Sequence, residues 1–106
     1  MAYDKKGLRC LVRAPSGGGC NIWCLDTVDA IATVNTSNYI SDGVRQGMRV
    51  GDIVHVRTGS SLSASGNIVG APSAINTCWV IDVGTGTDTL GVDLTDGLAI
   101  TATDTD

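Results

Sequence analysis

The chain contains no phenylalanine and no glutamate, and only one glutamine and one histidine. Two tryptophans and two tyrosines are its only aromatic residues. With so few large rings, a core has to be assembled from small and branched side chains. With two lysines, one glutamine and no glutamate, the strong helix formers of a protein surface are nearly missing, which argues against a helical bundle. Four aromatics also argue against a sugar-processing cleft, which needs two carboxyls flanking a bound ring. No apolar run approaches the roughly 20 residues that span a bilayer. The first residues, Met1 to Lys6, lack the apolar stretch of a secretory signal, so the expectation is synthesis and retention in the cytosol, with no membrane partner.

What is present points to β-structure. Eleven valines, eight isoleucines and twelve threonines dominate the 106 residues. Branching at Cβ suits a pleated surface better than a helix. Fourteen glycines, with many Asp, Asn and Ser, supply turns. The expected fold is mainly β with one or two short helices (α+β), arranged as a small antiparallel β barrel or sandwich. An extended N-terminal arm, residues 1–21, would precede a single β-rich domain, residues 22–106. Small side chains leave little burial surplus over chain entropy, so support from an oligomeric interface or a larger assembly is expected.

Charge is uneven. All seven basic residues lie in the first 57 positions with five aspartates, a net of +2. The last 49 positions hold six aspartates and no base, a net of −6. A nucleic-acid partner is disfavoured, because phosphate neutralisation needs a basic face. The asymmetry is read either as solvated turns or as basic and acidic surfaces that meet between subunits.

Along the chain, Leu8, Cys10 and Val12 share one face of an expected short strand, and Asn21 to Leu25 form a compact apolar strand. Asp26 or Thr27 is a suitable helix N-cap, and Val28, Ile31 and Ala32 follow at helical spacing, predicting a helix over about 27–36. Asn38 suits the left-handed conformation that ends a helix. A second turn of helix is expected from Ser41 or Asp42 to Met48, then a strand over Arg49 to Thr58. Residues 59–73 read as an exposed loop or weak hairpin around Ser65-Gly66-Asn67. Three strands then follow as an antiparallel meander: residues 77–83, a strand containing Leu90, Val92 and Leu94, and one with Leu98, Ile100 and Ala102. The turn between the last two is placed at Thr95-Asp96-Gly97. The tail from Thr103 to Asp106 reads as frayed.

Chemistry has few candidates. Cys10, Cys20, Cys24 and Cys78 admit three readings: small buried hydrophobes, disulfides in an oxidising setting, or a metal site. Zinc needs a second closely spaced pair beside Cys20 and Cys24, and the chain has none. Redox catalysis wants Cys-x-x-Cys at a helix start, a spacing not found here. His55 is the only candidate base and falls mid-strand, where a satisfied structural role fits it. The run Gly17-Gly18-Gly19 lacks the Lys-Ser/Thr of a phosphate loop. No catalytic, cofactor or metal role is assigned.

One segment carries a pattern. Trp23 precedes the Asp26-Thr27 start; Tyr39 follows; Ser41-Asp42-Gly43 is a short acidic element; and Met48-Arg49-Val50-Gly51-Asp52-Ile53 reads apolar-x-Val-Gly-Asp-apolar. Over residues 17–58 this resembles a family of small bacteriophage proteins encoded among virion genes. Tyr39 departs from that pattern in being followed by Ile40 rather than by a second aromatic. The resemblance implies a structural protein on the capsid surface of the virion. It would act as a decoration (cement) protein or head-fibre base, with the major capsid protein as partner and a homotrimer as its own state. Contacts are expected from the arm and the Trp23 strand: Leu8, Cys10, Val12, Arg13 and Trp23. Disulfides through Cys10, Cys20, Cys24 or Cys78 would reinforce the particle. The alternatives are a tail or fibre adhesion module, reading a host receptor or glycan with residues 59–73, and a small metalloprotein or oxidoreductase built on the cysteines.

Overall fold

The computed structural model describes residues 3–15, 18–87 and 89–101. The expectations placed on Ala102, on the tail 103–106 and on Gly17 lie outside the described residues.

Six strands form one mixed sheet: β1 (Leu8–Val12), β2 (Ile22–Thr27), β3 (Ile53–Thr58), β4 (Ala74–Thr85), β5 (Gly91–Leu94) and β6 (Leu98–Ile100). The spatial order is β1-β2-β3-β4-β5, with β6 also paired to β4. The β-rich content and the short helices match the sequence reading. The antiparallel barrel or sandwich does not. Strands β2 and β3 are parallel, and among the described residues no pairing joins β1 to β5 or β6, so the sheet stays open.

The parallel pair requires a long crossover between its strands. Residues 28–52 supply it, with α1 (Ile31–Val34) and α2 (Gly43–Gln46) as single turns of helix. The crossover lies over one face of the sheet. Its Val34, Ile40 and Met48 close the core against Trp23 and Leu25 of β2, Val54 and Val56 of β3, Cys78 and Val80 of β4, and Val92 and Leu94 of β5. Contact there is tight. A Cβ on Gly43 would lie 2.5 Å from Val92 Cγ1 and 3.0 Å from Met48 Sδ.

The helix expected over 27–36 is cut to one turn, and local hydrogen bonds explain why. Asp26 cannot cap it, because Arg57 holds its carboxylate. Thr27 ends β2 as a buried residue, and its Oγ1 accepts the Asp29 amide at 3.0 Å. Thr58 Oγ1 donates to the Asp29 carbonyl at 3.0 Å. These bonds fix residues 27–30 as a turn, so the helix starts only after Ala30. Asn38 takes the left-handed conformation as expected, with φ of 69°. From there the chain extends the sheet locally: the Asn38 amide donates to the Val92 carbonyl, and the Val92 amide donates to the Ile40 carbonyl.

The expected three-strand meander is a two-strand hairpin. Both β5 and β6 run antiparallel to β4, and their registers continue one another, from Gly91 opposite Thr85 to Ile100 opposite Ile75. Thr95-Asp96-Gly97 does not reverse the chain. It is a bulge: three β4 steps from Val80 to Thr77 face four from Leu94 to Leu98. Gly97 has the positive φ that Asp-Gly suggested, 91°. The bulge is held by Thr95, whose amide donates to the Trp79 carbonyl and whose Oγ1 accepts the Trp79 amide.

The expected arm is partly sheet. Leu8 to Val12 pair with β2, and a register shift after Cys10 separates the face of Leu8 and Cys10 from that of Val12. Leu8 and Cys10 pack on the core, whereas Val12 is exposed.

A buried carboxylate fixes the start of the parallel pair. Asp52 accepts four hydrogen bonds: from the Asn21 amide (3.1 Å), Asn21 Nδ2 (3.3 Å), Trp23 Nε1 (3.0 Å) and the Arg49 amide (3.0 Å). Substituting Asp52 by Ala strands these donors in the interior, and a loss on the order of 3–5 kcal/mol is expected in urea unfolding. A loss below about 1 kcal/mol would show that the hub contributes little.

Candidate interaction surface

Alternation along β4 sends Asn76, Cys78 and Val80 into the core and Ile75, Thr77, Trp79 and Ile81 to the other face. Strand pairing then gathers apolar side chains on that outer face. Ile53 stands opposite Trp79, Ile100 opposite Ile75, and Leu98 opposite Thr77. Trp79 is 47% exposed, Leu98 75% and Ile100 55%. A half-solvated antiparallel sheet shows polar residues on its open side, whereas β4 is apolar on both, the pattern of a strand covered twice.

Among the described residues, a hairpin covers the outer face at its β2 end. The hairpin over residues 61–69 closes through Ser63 and Asn67 and bridges Leu62 to Ile68, much as the sequence suggested. It folds back on β2. The Ile68 amide donates to Asp26 Oδ2 at 3.1 Å, and Arg9 donates to the Ser65 carbonyl at 2.8 Å. Below it, Arg57 meets Asp26 as a bidentate pair, Nε at 2.8 Å and Nη2 at 2.7 Å. Burial opposes the Asp26 charge, but the guanidinium and the Ile68 amide outweigh it and hold the carboxyl below its ordinary range. The Cys24 thiol donates to the same carboxylate at 3.5 Å. Burial and that negative charge push the thiol up, away from the reactive thiolate form.

His55 lies between the covered and open parts, its Nδ1 3.1 Å from Thr77 Oγ1, which is the satisfied strand histidine that the sequence suggested. Tyr39 joins Thr27 and Asp29, and burial followed by the Asp29 carboxylate pushes its pKa up to about 12. These groups brace the fold. Among the described residues no three His, Cys, Asp or Glu side chains come together as a metal-ligand set.

The expected contact residues divide. Trp23 is 2% exposed and belongs to the core, so it offers no free surface, whereas Leu8 and Cys10 pack against that core and are only partly buried. Val12 and Arg13 do reach the surface, Arg13 with its guanidinium carbon 5.5 Å from the Trp23 ring centre. All four cysteines are free thiols. The expected disulfides are not formed within the chain: Cys10 faces the core side, Cys24 the outer side, Cys78 is buried, and Cys20 is exposed before β2. The outer-face residues Trp79, Ile81, Leu98 and Ile100 were not singled out as contacts. Their alternation was visible, but not which side the crossover would cover.

The Asp26–Arg57 pair predicts an acid limb in stability. A carboxyl depressed on folding stabilises the native state above its unfolded pKa of about 4, and that contribution is lost as pH falls through the lower folded value. The stability gap between wild type and Asp26→Asn should therefore be constant near neutrality and narrow below about pH 4. An unchanging gap down to the acid transition would exclude this role.

No family model, curated protein or solved structure matches the chain.

Proposed function

We propose that this chain is a structural binding protein of a bacteriophage particle, docking on the outside of the capsid lattice as a decoration protein and working as a homotrimer. The single observation behind this reading is the open apolar face of β4 and β6, carried by Trp79, Ile81, Leu98 and Ile100. An uncharged, ring-anchored patch suits a protein surface, where aromatic anchors dominate binding energy. The resemblance over residues 17–58 supplies the setting. Binding one lattice state in preference to another stabilises that state by mass action. The contact elements in this reading are β4 and β6, with Val12 at the margin, in place of Trp23. Covalent reinforcement between neighbours would fall to Cys20, the exposed thiol. The adhesion alternative loses ground, because the hairpin that would read a receptor is folded back onto Asp26 and Arg9.

The test is quantitative mass spectrometry of purified particles, with a binding assay on undecorated capsids. The expected copy number stands in a simple ratio to the major capsid protein. Leu98→Glu and Trp79→Glu should fold, since both side chains point outward, and should lose capsid binding by at least about tenfold. Absence from particles, or full binding by both variants, overturns the reading.

A further inference from the structure

An open pocket of about 510 Å³ lies at the end of the sheet where β1 stops and β2 and β3 begin. Arg13 and Arg49 stand at its walls, with Asn21 and Gly47 between them. The Asp52 hub organises it. Asn21 Nδ2 and the Arg49 amide are tied to that carboxylate, Trp23 Nε1 is too, and Arg13 stacks on the Trp23 ring. Asn21 Oδ1 also accepts the Ala14 amide at 2.7 Å, fixing the chain just after Arg13. Gly47 has φ of +104°, and a Cβ there would lie 3.1 Å from Arg13 Nη1, so glycine leaves the guanidinium its place. Neither guanidinium has a carboxylate partner among the described residues. Arg13, seated on the Trp23 ring, and Arg49, exposed at the pocket wall, offer two guanidinium forks of the kind that receive carboxylates.

The matching carboxylates are on the other side of the same molecule. Asp82 and Asp93 stand directly opposite each other across β4 and β5. Like charges in that arrangement repel. Asp82 is exposed, and its one side-chain hydrogen bond is to the adjacent Val83 amide. The sheet order separates the two sites: the arginines flank β1 to β3, and the aspartates lie on the β4–β5 side. A contact between them cannot form within one chain without dismantling the sheet. It can form between copies, head to tail, and a head-to-tail contact closes into a ring when its rotation permits.

We propose that the Arg13–Arg49 pocket receives the Asp82–Asp93 pair of a second copy of this chain. The contact relieves the repulsion on one subunit and neutralises the paired arginines on the next. Its charges set orientation and partner choice and carry part of the affinity. This rests on the homo-oligomer part of the reading above and not on the capsid part. It is tested on the purified chain alone, so its failure and that of capsid binding are separate results.

The experiment is sedimentation velocity of the full chain over a range of concentration and salt. Wild type is expected to associate, and to dissociate as salt rises. Arg13→Glu with Arg49→Glu, and Asp82→Lys with Asp93→Lys, should each weaken self-association by at least about tenfold, and an equimolar mixture should restore it. The neutral pair Asp82→Asn with Asp93→Asn removes the internal repulsion, so it keeps the fold while losing association. A monomeric wild type, unchanged association of the neutral pair, or two folded charge-reversed variants that fail to associate on mixing would each overturn the proposal.

Discussion

A buried carboxylate is tolerable only when its lone pairs are met, because an unsatisfied charge in the interior costs more than the fold can spare. Asp52 meets that condition through donors from three residues on two stretches of chain: Asn21 and Trp23 at the start of β2, and Arg49 in the turn before β3. Those bonds hold the starts of two parallel strands side by side, where no short hairpin could do so. At the far end of the same pair, Asp26 lies opposite Arg57 and takes both its guanidinium bonds together with the Ile68 amide. The parallel pair is thus clamped at both ends by charge-assisted hydrogen bonds. The crossover and the outer hairpin are each anchored to one of the clamps.

This arrangement compensates for a core made of small residues. One large ring is buried, that of Trp23, and its indole N–H is committed to the Asp52 hub. The remaining core side chains are mostly Val, Leu and Ile, packed between one sheet face and a crossover of two single-turn helices. Such helices are too short to be stable by themselves. They hold because Val34, Ile40 and Met48 are sealed against the sheet and because Asn38 and Ile40 hydrogen-bond to the edge of β5. The crossover covers one face of the sheet, and part of the other face stays exposed. Trp79, the second tryptophan, is half exposed in that uncovered part.

The same hub that closes the core also ties down the Arg49 backbone and the Trp23 ring on which Arg13 lies, so the core and the charged pocket share anchoring residues. The apolar face and the charged pocket differ in physics: the first favours contact through area, the second through orientation.

Much was legible in the residues. Abundant Val, Ile and Thr with almost no strong helix formers determined a β-rich chain, because backbone preference acts residue by residue. Asn38 and Gly97 announced left-handed positions, and alternation marked Val54 and Val56 as one face of a strand. The sequence could not say that Asp26 and Thr27 end a strand instead of capping a helix, since their partners, Arg57 and Thr58, lie some thirty positions away. Nor could it tell a reversing turn at Thr95-Asp96-Gly97 from a bulge, because β4 has to be present on the same side of both segments before the choice is made. Trp23 and Trp79 each sit in a strand with apolar neighbours and look alike as sequence. Only the tertiary structure decided that the crossover covers the first and leaves the second open, because burial belongs to the packing of distant segments and not to the local chain.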